Sequence, residues 1–78
     1  MDNKLFVEKA KKLAKWYLKD DDEVFVVWLV KVLQNNKCLI GTRDTVSYFE
    51  VTYNGDKDEF YVDNYDKLIN EKVSGSDI

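Results

Sequence analysis

The chain has 78 residues, 45% of them hydrophobic and 35% charged, with one Cys, no His and a formal net charge of −3. That length holds one domain around one core, and the composition is that of a folded chain. A single Cys excludes an intramolecular disulfide, and a chain without His lacks the commonest zinc ligand and general base.

The charge is uneven. Residues 1–43 carry nine basic and six acidic side chains, and residues 44–78 carry three and nine. Arg43 is the only Arg among twelve basic residues, so the bidentate recognition of bases that Arg supplies is nearly absent. The longest unbroken apolar run, Val24 to Val30, is far too short to span a membrane. Met1 to Val7 mixes charges with apolar residues, so no signal-peptide core is expected and the chain reads as cytoplasmic.

In chain order, Asp2 or Asn3 can cap a helix running to about Lys19. Phe6, Ala10, Leu13, Ala14 and Tyr17 recur at helical spacing and form its apolar stripe, with Trp16 and Leu18 on the flank. Lys4, Glu8, Lys11 and Lys15 recur on the opposite side, either a solvated face or a basic face for an acidic partner or an anionic membrane, which it would bind weakly with no second anchor. Asp20 to Asp22 and Glu23 lack the ligand alternation and the Gly of a calcium loop, and they read as a polar link.

Glu23 to Leu33, EVFVVWLVKVL, is the most apolar stretch, and its Val and Phe content marks a strand. With period two, Val24, Val26, Trp28, Val30 and Val32 fall on one face and Phe25, Val27, Leu29 and Leu33 on the other. A strand apolar on both faces calls for cover on both sides. The first helix is expected to cover the Val24, Val26, Trp28 face. That leaves Phe25, Val27, Leu29 and Leu33 as the candidate face for a homodimer.

Gln34, Asn35 and Asn36 read as a tight turn, because Asn tolerates left-handed backbone angles. Lys37 to Thr42 returns as a second strand and Thr45 to Tyr53 alternates as a third. Asn54-Gly55 is a hairpin signal, and Glu59 to Val62 follows as a fourth strand. Asp63 or Asn64 then caps a short helix to about Lys72, carrying Tyr65, Leu68, Ile69 and Lys72 on one face. The expectation is an α+β fold: N-terminal helix, four-stranded antiparallel meander, short C-terminal helix. Residues 1–73 form the single domain and 74–78 a disordered tail.

No catalytic constellation emerges, and neither a metal nor a cofactor is expected. Triads of the Ser-His or Cys-His kind need a His, and Cys38 sits between apolar strand residues as an inert thiol. Gly41, Gly55 and Gly75 are isolated and cradle no phosphate. Binding chemistry is better represented. Tyr48, Tyr61 and Tyr65 are interleaved with Glu50, Asp56, Asp58, Glu59 and Asp63, a candidate interaction surface in which Tyr gives contact area at small entropic cost.

The stretches VVWLVKVLQNNK and EVTYNGDKDEFYVDNYDK resemble a family of small uncharacterised proteins from phages and prophages of Gram-positive bacteria. The resemblance spans roughly residues 24–67 and is most specific from Val51 to Asp63. It implies a genomic origin and carries no established activity. The expectation is a small non-enzymatic interaction protein acting by protein–protein binding, a homodimer with a possible host protein partner. One alternative is an inhibitor of a host nucleic-acid enzyme, such as a CRISPR or restriction nuclease, acting through the acidic Tyr-bearing surface. Another is a weak nucleic-acid binder using the Lys face of the first helix.

Overall fold

The structure, a computed structural model, describes residues 1–18, 23–43, 47–66 and 74–77. A helix, α1 (Asn3–Lys15), precedes four strands, β1 (Val24–Val32), β2 (Asn35–Thr42), β3 (Ser47–Asn54) and β4 (Glu59–Asp66). The strands pair antiparallel in chain order, β1-β2-β3-β4, so β1 and β4 are the edges of the sheet. Gly75–Asp77 forms one 3-10 turn. The expected link Asp20–Asp22 lies outside the described residues, as do the first two residues of the expected third strand.

Asp2 caps α1 by accepting a hydrogen bond from the Leu5 amide at 2.9 Å. The helix ends four residues earlier than its spacing predicts. From Trp16 onward the amides of Trp16, Tyr17 and Leu18 reach back only three residues, to the carbonyls of Leu13, Ala14 and Lys15. Phe6, Ala10 and Ala14 are buried, and they pack on Cys38, Ile40, Phe49, Val51 and Tyr53 of the two central strands. The two Ala let the helix lie close to the sheet, and Phe6 stacks on Phe60 of β4 with ring centroids 6.3 Å apart. Val24, Val26 and Val62 complete the edges of this core.

Two hairpins differ from their predicted turns. The β1–β2 turn is Leu33-Gln34, with Leu33 at φ 56°, and Asn35 and Asn36 belong to β2. Asn36 is drawn into the strand because its side chain is buried, donating to the Met1 carbonyl at 3.0 Å and the Asn3 side-chain oxygen at 3.2 Å. At the β3–β4 connection Gly55 does not adopt a positive φ; Asp58 does, at 52°. The Asn54 side chain accepts from the Asp56 and Lys57 amides and shapes the turn. Gly55 is required by proximity instead: a Cβ there would collide with the backbone carbonyl of Gln34 in the neighbouring turn.

The fourth strand is longer than expected. Asp63, Asn64, Tyr65 and Asp66 continue β4 in register with β3, so the predicted helix does not begin there. Its remaining residues, Leu68, Ile69 and Lys72 among them, lie outside the described residues.

Candidate binding face on the sheet

Everything that α1 covers lies on one side of the sheet, and the other side carries the candidate site. Its shape is decided by one residue. Val26 pairs with Ile40 and Trp28 with Leu39, leaving Val27 as an extra residue, a β-bulge. Before the bulge Phe25 stands opposite Gly41, and its ring and a Val27 methyl fill the space where a Cβ on Gly41 would be, 2.7 and 3.2 Å away. Both therefore point to the uncovered side. Beyond the bulge the alternation is inverted. Leu29 stands opposite Cys38, which faces α1, while Trp28, Val30 and Val32 stand opposite Leu39, Lys37 and Asn35.

The uncovered side of β1 thus collects Phe25, Val27, Trp28, Val30 and Val32, each between 41% and 60% exposed. This corrects the expected partition in both directions. Trp28 is not beneath the helix, and Leu29 is not on the open face with Phe25 and Val27. Leu33 sits in the turn at 83% exposure, part of neither face.

The Tyr-bearing acidic surface assembles on this same open face. Register places Tyr48 beside Tyr65, Glu50 beside Asp63, and Thr52 beside Tyr61. Lys37 extends between the apolar and acidic halves and forms a 2.8 Å ion pair with Glu50. That hydrogen bond and charge push the Lys37 pKa up. Tyr61 donates to Glu59, which raises the phenol pKa. Asp56 and Asp58 are placed apart from the face, in the β3–β4 turn. Asp56 accepts from the Gln34 amide group, and Asp58 accepts from Tyr53 at 2.7 Å. Asp58 thereby raises the Tyr53 pKa, and Tyr53 itself lies on the helix side.

Of the Lys residues of α1, Lys4, Lys9, Lys12 and Lys15 are exposed and Lys11 is half-buried. The molecule therefore has a basic outer helix face on one side and an apolar and acidic sheet face on the other. Between α1 and the β4 edge, Leu13, Trp16 and Phe60 floor a groove of about 220 Å³ with Lys9 and Lys12 on its rim.

Cys38 is fully buried, and burial pushes its thiol up to about 11. A group so placed is protonated at neutral pH and screened from solvent. No helix among the described residues is long and apolar enough to cross a membrane.

The open face was only half legible in the sequence. The Tyr and acidic residues were marked by their interleaving along the chain, but their union with the apolar stripe of β1 depends on the bulge. No curated protein and no solved structure matches the chain. A family model does match, over residues 3–75, beyond the stretch of sequence resemblance at both ends, and the chain belongs to that family, DUF6275, a family of unknown function.

Proposed function

We propose that this protein is a small, non-enzymatic binding module that docks a protein surface onto the open face of its sheet. The observation that carries the reading is the placement of Phe25, Val27, Trp28, Val30 and Val32 on a face that α1 does not cover. Monomeric proteins rarely leave a contiguous apolar patch of this kind in water. The adjoining Tyr side chains suit an interface, because they combine apolar area with a hydrogen-bonding tip. A chain without His, whose one thiol is buried and protonated, fits binding better than catalysis. The resemblance to phage and prophage proteins gives a setting, a bacterial cytoplasm whose proteins are the available partners.

A second reading, inhibition of a host nucleic-acid enzyme, is favoured by one feature. Glu50, Glu59 and Asp63 share the open face with three Tyr, an arrangement suited to a basic surface that normally holds phosphates. Its binding would weaken steeply with salt, unlike contact through the apolar stripe alone.

The test compares immobilised wild type, Trp28→Glu and Lys12→Glu proteins for retention of individual proteins from a bacterial lysate. A protein held by wild type and Lys12→Glu but lost with Trp28→Glu supports the reading. Retention that survives Trp28→Glu and fails with Lys12→Glu overturns it and assigns binding to the helix side.

A further inference from the structure

The register arranges the open face as four rows running across the strands. The first is Phe25, Gly41, Tyr48, Tyr65, and the second is Trp28, Leu39, Glu50, Asp63. The third is Val30, Lys37, Thr52, Tyr61, and in the fourth Val32 pairs with Asn35 and Asn54 with Glu59. Each row begins apolar on β1 and ends on β4 in a phenol or a carboxylate. On β4 the order alternates: Tyr65, Asp63, Tyr61, Glu59.

We propose that the occupant of this face is a second copy of the chain, docked sheet to sheet about a twofold axis running across the strands. The proposal rests on the open face being a docking surface and names its partner. Such an axis, passing between the second and third rows, exchanges the first row with the fourth and the second with the third. It lays β1 on β1, with Phe25 over Val32 and Trp28 over Val30, so the apolar stripe is its own complement. On the far side it lays Tyr65 over Glu59, a phenol donor opposite a carboxylate acceptor, and lays Tyr61, which already donates to Glu59 of its own protomer, over Asp63. The central charges enter already paired, since Lys37 and Glu50 are 2.8 Å apart within one protomer.

Competing arrangements fare worse. An axis along the strands would lay β1 on β4 and bury Asp63 under the Trp28 indole, an unpaired carboxylate against an apolar ring. Pairing two β1 edges would leave the apolar faces wet. Area decides in the same direction. Four strands about 4.8 Å apart and eight residues long cover roughly 500 Å², so full overlap buries about 1,000 Å² in total, the threshold for a specific interface. Partial overlap falls short.

The experiment is sedimentation equilibrium of the full chain from low to high micromolar concentration, paired with disulfide trapping in a Cys38→Ala background. The wild type is expected to be a dimer at high concentration. Val30→Glu is expected to weaken association at least about tenfold while keeping the wild-type circular dichroism. Should Val30→Glu not fold, Val32→Lys at the more exposed strand end serves in its place. The pair Tyr65→Cys and Glu59→Cys in one chain is expected to give a covalent dimer under mild oxidation. Trp28→Cys with Asp63→Cys is expected to stay uncrosslinked. A wild type monomeric throughout, association unmoved by these substitutions, or cross-linking only of the second cysteine pair each overturns the proposal. A monomer would not overturn the open face as a docking surface, which falls separately if Trp28→Glu leaves lysate capture unchanged.

Discussion

Leu33 is a branched aliphatic residue in a left-handed backbone conformation, at φ 56° and 83% exposed. Such a conformation costs an L-residue with a Cβ roughly 1 to 2 kcal/mol, and almost no burial offsets it here. Leu33→Asn is therefore expected to raise the stability by about 1 kcal/mol, read as a shift of the urea midpoint at unchanged slope. Gly55 carries the opposite lesson. Its neighbour is the Gln34 backbone, which cannot rotate away, so Gly55→Ala is expected to cost about 2 kcal/mol in the same assay. Asn54-Gly55 was legible as a turn from sequence, but for a reason the structure replaces: close approach of two turns, with the Gly55 amide donating to the Asn35 side chain at 3.0 Å. Proximity between turns twenty residues apart leaves no local pattern to read. Cys38 was legible as a buried thiol, and its environment adds a pH signature. A thiol raised from 9.0 to about 11 by burial favours the folded state while protonated. The contribution is intact below about pH 9 and is lost as pH rises through about 11, up to about 3 kcal/mol. Chemical denaturation between pH 8 and 11 should show that decline in wild type and a shallower one in Cys38→Ala.

At the scale of elements, α1 and β3 were readable because each has one covered face, so hydrophobic spacing and burial coincide. In β3 the buried residues are Phe49, Val51 and Tyr53, the alternation seen in the sequence. For β1 the same logic fails. A strand apolar at nearly every position satisfies any register equally, so alternation cannot reveal the extra residue at Val27. The C-terminal helix was overestimated at its start because Tyr65, Leu68, Ile69 and Lys72 share helical spacing, while pairing of Tyr48 with Tyr65 and Ser47 with Asp66 holds the chain extended. The junction of α1 with the sheet turns on Asn36, whose amide donates to Met1 and Asn3 while its buried oxygen has no hydrogen-bond partner among the described residues. Asn36→Asp would turn the donor toward two acceptors into a buried carboxylate. The expected cost is at least about 3 kcal/mol at neutral pH, easing as the medium is acidified and the carboxyl protonates. Thermal melts of the variant at pH 7 and pH 4 check both the size and the direction.

At the scale of the molecule, among the described residues α1 lies on one sheet face in a two-layer arrangement whose second face is dressed for contact. Its basic helix side and its apolar, acidic sheet side point in opposite directions, so binding through one leaves the other free. Both the proposed function and the proposed dimer depend on the bulge having moved Trp28, Val30 and Val32 across to the side of Phe25 and Val27. Five valines of β1 report on this directly. In the Trp28→Glu protein, kept monomeric by that substitution, methyl relaxation by a soluble paramagnetic agent measures the solvent exposure of each valine. A bulged β1 predicts strong relaxation at Val27, Val30 and Val32 and weak relaxation at Val24 and Val26. Weak relaxation at Val24, Val26, Val30 and Val32, with Val27 alone exposed, would mean unbroken alternation and would contradict the open apolar face.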